Sequence, residues 1–162
     1  MPIALYRVDE RLIHGQVTVG WGSVLQPDHY LVVDDELAAS EWETELYRLG
    51  LPPGVRASFL TTEAALDELE RLRSAPEVTV LLTRSLPAMA ALSARGDMDG
   101  VKVNLGGLHD APGRRRVLTY LHLDDSDVEA IRRLDDAGAR VTARDLPSTP
   151  PAGLERLLGP DE

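Results

Sequence analysis

Short apolar runs alternate with stretches of helical spacing along the whole chain. Ile3 to Val8, Tyr30 to Val33, Ala57 to Leu60, Val78 to Leu82, Val101 to Leu105 and Ala139 to Ala143 read as strands. Val78 to Leu82 is almost continuously apolar, the pattern of a central parallel strand covered on both faces. Between the strands, Gly15 to Leu25 carries Val17, Gly20, Trp21 and Val24 at helical intervals and is closed by Pro27. Ser40 is placed to cap a helix running to about Leu49, with Glu43 completing a capping box. Thr62 opens a helix with Ala65, Leu66, Leu69 and Leu72 on one face. Further helices are expected over Pro87 to Ala94, Asp124 to Ala137 and Leu154 to Leu158. Val117 to Leu123 alternates and reads as an antiparallel edge strand.

This order predicts an α/β fold: an open, mostly parallel sheet with helices on both faces and one antiparallel edge strand. No interior linker divides the chain, so residues 1–162 are expected to form a single domain. Its core covers about 3–144, followed by a Pro-rich linker and a short C-terminal tail over 147–162. In such sheets ligands bind at the carboxyl ends of the strands, so the loops there matter first.

Composition narrows the chemistry. With 162 residues and 43% apolar positions, the chain can bury a core. There is no cysteine, which removes disulfides, thiolate metal sites and a cysteine nucleophile. The formal net charge is -10, so nucleic acid is not an expected partner. The N-terminal MPIALYRVDERL lacks the apolar core of a signal peptide, and no run approaches a membrane span. A cytoplasmic protein is the expectation.

The loop after the first strand, Arg7 to Gln16, gathers arginines, acids, a histidine and a glycine at the favoured strand end. Each suits the handling of a phosphoryl group. A neutral imidazole at His14 is a nucleophile near neutral pH. Arg11 and Arg7 could clamp phosphoryl oxygens, and Asp9 could orient an arginine or the ring. Gly15 would admit a close backbone approach, and the free amides at the start of the next helix, around Gln16, favour an anion. The same residues also fit a surface salt-bridge cluster around a solvated histidine.

The stretch Arg7-Val8-Asp9-Glu10-Arg11-Leu12-Ile13-His14-Gly15-Gln16-Val17, with Trp21 beyond it, resembles the mannose/fructose/sorbose IIB family of the sugar phosphotransferase system. That family reads Arg-Ile/Val-Asp-Asp/Glu-Arg-Leu-Ile-His-Gly-Gln-Val followed by a tryptophan. Val32-Val33-Asp34-Asp35-Glu36, Pro52-Pro53-Gly54-Val55, Val103-Asn104-Leu105-Gly106-Gly107 and Pro112-Gly113-Arg114 resemble later family segments in the same order. The resemblance implies an open α/β fold and a phosphorylated histidine at His14, carrying the group on Nδ1. On the loop's own chemistry, Arg11, Arg7, Gly15 and Gln16 are the expected phosphate contacts with Asp9 in support, and no cofactor or metal is expected. The resemblance implies two partners in turn: a IIA phosphocarrier, and the membrane IIC and IID subunits holding a sugar, with the chain attached peripherally to them. The sugar and the oligomeric state, a homodimer included, stay open.

Gly106, Gly107 and His109 are candidates for the border of the site. His29 and His122 show no metal-ligand spacing and read as structural or exposed; Trp42 reads as packing. Arg114 to Arg116 is a solvated basic patch or a docking spot for an acidic partner. Two rival functions share the His14 chemistry in whole or part: a regulatory phosphocarrier that moves no sugar, and a phosphate-binding domain without transfer. Genes for IIC and IID beside this one would argue against the first. Labelling from phosphoenolpyruvate through the general phosphotransferase proteins would argue against the second.

Overall fold

The computed structural model describes residues 3–95 and 98–159. Six strands form one parallel sheet in the order β3-β2-β4-β1-β5-β8: β1 Ile3–Asp9, β2 His29–Val33, β3 Arg56–Leu60, β4 Thr79–Thr83, β5 Lys102–Gly107 and β8 Arg140–Ala143. Alternation along each strand sends side chains to opposite faces. Tyr6, Val8, Leu31, Val33, Leu81 and Leu105 join a core with the later helices α4 (Thr62–Ser74), α5 (Leu86–Ala91) and α6 (Asp125–Asp136). Leu5, Tyr30, Val32, Val80 and Leu82 join a second core on the other face. There they meet Leu12, Ile13, Val17 and Trp21 from the first helix and its approach, and Leu37 of α2 (Asp35–Ala38). The sheet is thus covered on both sides, as its near-continuous apolar strands require.

Local signals set most element starts. Thr61, Ser85 and Asp124 each accept a bond from a backbone amide three residues on, and Asp124 forms a full capping box with Asp127. The box expected at Ser40 is not formed, although α3 (Glu41–Leu49) does begin there. The Ser40 amide, which Glu43 would have satisfied, already donates to the Leu37 carbonyl at 3.0 Å.

The antiparallel element differs from expectation in its placement. The segment Val117 to Leu123 is not one edge strand of the main sheet. It is split into β6 (Arg115–Leu118) and β7 (Leu121–Leu123), an antiparallel hairpin turning at Thr119-Tyr120. The position beside β5 is occupied by β8, so the hairpin docks instead on the loop after β5. There the Leu108 amide donates to the Tyr120 carbonyl, and the His122 amide donates to the Leu108 carbonyl. After β8 the chain doubles back, and Ala143 and Ala152 exchange backbone bonds before α7 (Leu154–Leu158). The last three residues of the expected tail lie outside the described residues.

β1 lies between β4 and β5. Its chain leaves toward β2, whereas the chain after β5 proceeds to β8, so their loops diverge at the carboxyl ends. That divergence opens a crevice where a site is expected.

Candidate active site

β1 alternation puts Leu5, Arg7 and Asp9 on the same face of the sheet, the one covered by the first helix. Two of these positions are charged and have no exposed side-chain surface. Asp9 then begins a tight turn. Its Oδ1 accepts from the Arg11 amide at 3.1 Å, and its carbonyl accepts from the Leu12 amide at 3.0 Å. Leu12 is fully buried yet has φ of 56°, a left-handed conformation rare for a bulky residue. Burial of its side chain among Leu5, Val17 and Trp21 fixes that conformation and swings the following residues back over the strand end. The first helix opens at once: the His14 carbonyl accepts from the Val17 and Thr18 amides. A π-helical stretch, Gln16–Trp21, continues into α1 (Gly22–Leu25).

The turn delivers His14 onto Asp9. Nε2 of the ring lies 2.9 Å from Asp9 Oδ2, and the His14 side chain is 14% exposed. An ionised Asp9 accepts from Nε2–H, and in the neutral ring that tautomer leaves the lone pair on Nδ1. Burial alone would push the Asp9 carboxyl up; the bond from His14 and the charge of Arg7 overcome it and hold the group below its ordinary range.

Arg7 sits beneath this pair. Its guanidinium donates to Asp9 Oδ2 at 3.1 Å, to the Arg144 carbonyl at 2.9 Å, to the Asp145 carbonyl at 3.0 Å, and to Asn104 Oδ1. Trp21 lies against it, 5.4 Å from ring centroid to guanidinium carbon, and donates from Nε1 to the Asp145 carbonyl at 2.9 Å. The sequence suggested a direct phosphate clamp at Arg7. The structure places the guanidinium out of solvent and engaged with protein oxygens, Asp9 among them.

Arg11 is the exposed arginine of the loop, and its Nη2 donates to Gln16 Oε1 at 2.9 Å. Both line a cavity of about 330 Å³ with Glu10, His109, Tyr120 and His122. Gly15 has ordinary helical angles, and a Cβ there would meet no atom within 4 Å. Its value is open space on the outer side, not an unusual backbone.

Gly106 and Gly107 lie against the charged pair. A Cβ at Gly106 would overlap the Arg7 guanidinium, and one at Gly107 would touch Asp9 Oδ1 at 3.5 Å. His109 reaches Glu10 through Nδ1, and its amide donates to the same carboxylate at 2.9 Å. Glu10 also accepts from Arg114 at 2.8 Å. Burial alone would raise the Glu10 carboxyl, and the Arg114 and His109 bonds bring it below its ordinary value. This brace ties the loop after β5 to the loop after β1. It also engages Arg114, leaving Arg115 and Arg116 as the exposed members of that triplet.

Sequence reasoning gave no role to Asn104, Asp145 or the Glu10–Arg114 pair, all of which hold the site. Their contacts span roughly a hundred residues or more, beyond any local pattern. His29 is far from this loop in the sheet, at the start of β2, and is buried between Ser58 and Thr79 hydroxyls.

At this strand end an imidazole bonded to a buried carboxylate lies beside an exposed arginine. A family model described as the sorbose subfamily IIB component of the PTS, the phosphotransferase system, matches residues 3–162. The N-acetylgalactosamine-specific phosphotransferase enzyme IIB component 2 of Escherichia coli K12 is 31% identical over 96% of this chain and 98% of its own. The sorbose-specific EIIB component of Klebsiella pneumoniae is 29% identical over 95% and 93%. The mannose-specific EIIAB component of E. coli K12 is 30% identical over 98% of this chain, which spans 49% of that longer relative. The crystal structure of the IIBSor domain of the K. pneumoniae sorbose permease superposes with a TM-score of 0.87 at 28% identity, covering 98% and 97%. The chain belongs to the sorbose subfamily of PTS IIB components. As such it is a phosphotransferase that accepts a phosphoryl group from IIA and transfers it to sugar, working with the membrane IIC and IID subunits. Among the described residues, no helix is long and apolar enough to cross a membrane.

Proposed function

We propose that His14 is the phosphorylated residue, that Nδ1 is the atom that carries the group, and that the activity is protein-Nπ-phosphohistidine–sugar phosphotransfer. The observation that carries this is the 2.9 Å contact between His14 Nε2 and Asp9. In the first transfer the Nδ1 lone pair attacks phosphorus in line, and the bond from phosphorus to the donor's histidine nitrogen breaks. Positive charge that develops on the His14 ring is met by the fixed Asp9 carboxylate. In the second transfer a sugar hydroxyl attacks, the Nδ1–P bond breaks, Nδ1 regains its lone pair and the hydroxyl proton is released. The Asp9 bond to Nε2 persists through both steps, so the ring does not have to turn between receiving and giving.

Arg11 is the arginine free to approach phosphoryl oxygens, with Gln16 fixing its direction. The amides of Gly15 and Gln16 precede the first bonded amide of the helix and are oriented for the same oxygens. Arg7 positions Asp9 from below. Positioning and charge stabilisation account for the catalysis such a transfer asks of a protein.

The test is labelling from phosphoenolpyruvate through the general phosphotransferase proteins and a IIA donor. Wild type takes up acid-labile, alkali-stable label, and His14→Ala takes up none while keeping its fold. Equal labelling of the variant would remove His14 from the mechanism.

A further inference from the structure

α3 carries its apolar residues on the wrong side for packing. Thr44 is its buried position, and Tyr47 and Arg48 pack on Phe59 of β3, with 6.2 Å between the rings and 5.0 Å from guanidinium to ring. Trp42, Leu46 and Leu49 recur at helical intervals on the outside and are 68%, 57% and 81% exposed. The sequence reading of Trp42 as packing is therefore overturned. A stripe of large apolar residues in water is the mark of an interaction surface.

Three observations say what covers it. First, the stripe borders a groove of about 360 Å³ formed by Ile13, Trp42, Glu43, Leu46, Tyr47 and Gly50. Ile13 immediately precedes His14, so an occupant of the groove is beside the reacting histidine. Second, the surrounding charge is acidic. Glu41, Glu43 and Glu45 lie on α3 itself and Asp35 and Glu36 on α2, while Arg48 is engaged by Glu45 and Phe59. Third, the groove flanks the His14 loop on the side of β3, whereas the Arg11–Gln16 cavity flanks it on the side of β5 and the hairpin. The loop is approachable from two sides of unlike character.

We propose that the Trp42–Leu46–Leu49 stripe and its acidic rim dock the cytoplasmic loops of the membrane IIC and IID subunits, leaving the side of Arg11 and Gln16 to the IIA donor. The inference rests on His14 as the carrier. Cytoplasmic loops of membrane proteins are enriched in lysine and arginine, which complements Glu41, Glu43 and Glu45 on the same helix as the apolar ridge. A transporter must also bring its sugar to His14, which the continuity of the groove with Ile13 provides.

The experiment uses the full chain and the variants Leu46→Asp, Trp42→Ala and Glu43→Lys, all at surface positions whose change leaves the cores intact. Each is phosphorylated by the IIA donor, then sedimented with vesicles from cells that produce IIC and IID and with vesicles that lack them. The expected result is labelling by the donor within about twofold of wild type, and roughly tenfold weaker binding to IIC/IID vesicles. Unchanged binding of the variants overturns the proposal. So does a parallel loss of donor labelling, which assigns the stripe to IIA. Equal binding to both kinds of vesicle assigns it to lipid, and a wild-type dimer broken by Leu46→Asp assigns it to a second copy. Failure of wild type to take label strikes the His14 reading instead, and is separable from all of these.

Discussion

Asp9 Oδ2 stands 2.9 Å from His14 Nε2 across a turn whose sharpest residue is a buried left-handed leucine. With Nε2 so engaged, the proposed carrier atom is Nδ1. Long-range proton–nitrogen NMR of the phosphorylated protein is therefore expected to show phosphorus on Nδ1 of His14. Attachment at Nε2 would mean that the Asp9 contact is broken during transfer.

Replacing Asp9 separates charge from shape. Asp9→Asn keeps an oxygen near Nε2 but removes the anion that faces both His14 and Arg7. The buried arginine then lacks its counter-charge, and a loss of about 3–5 kcal/mol in unfolding free energy is expected. Phosphoryl acceptance should fall even at temperatures where the variant remains folded. Acceptance at the wild-type rate would show the carboxylate to be structural only.

Arg11 offers phosphoryl oxygens a planar fork of donors that lysine cannot copy. Arg11→Lys is expected to slow donor labelling about 30- to 1000-fold, the equivalent of roughly 2–4 kcal/mol of transition-state stabilisation. Stability should hardly change, because the side chain is exposed. A rate within twofold of wild type would reduce Arg11 to a surface charge.

Two glycines give a paired test. Gly106→Ala drives a methyl into the Arg7 guanidinium and is expected to cost about 1–3 kcal/mol of stability. It should also slow transfer by displacing Asp9. Gly15→Ala meets open space within 4 Å and should fold normally. Any rate it loses then measures how closely phosphate or a partner approaches that backbone. Thermal unfolding of the two variants side by side distinguishes these outcomes.

His29 is expected to affect stability and not transfer. Burial first, and the nearby Arg56 charge next, lower the His29 pKa from 6.5 to about 4. Between those values the unfolded chain binds the proton and the folded protein does not. Stability is therefore full above pH 6.5 and falls as pH drops toward 4, by about 2 kcal/mol between pH 7.5 and pH 5. Denaturant titrations of wild type and His29→Gln should differ in this slope. Parallel curves would show that His29 is protonated in the fold.

The reach of sequence reasoning follows contact range. Strand positions were legible because their apolar runs are local, and His14 and Arg11 because the ten-residue loop gathers its own chemistry. Val117 to Leu123 reads as one strand because no Gly or Pro marks a turn within it; only the dock on Leu108 shows where the hairpin turns. Arg7 was taken for a ligand because a charged residue at a strand end ordinarily faces solvent. Its burial depends on Asn104, Arg144 and Asp145, which approach it only in the tertiary fold. Trp42 was read as packing because aromatic residues on helices usually are, and no local feature indicates which face of α3 the sheet covers.

The carbonyls that receive Arg7 belong to residues 137 and 138 positions further along the chain. During synthesis the reactive loop is among the first segments to appear, yet the groups that let its buried charge rest there arrive only after β8 is made. Loop closure over such a distance is slow and comes late in folding. A partly synthesised chain therefore holds His14 without the fixed Asp9 beside it.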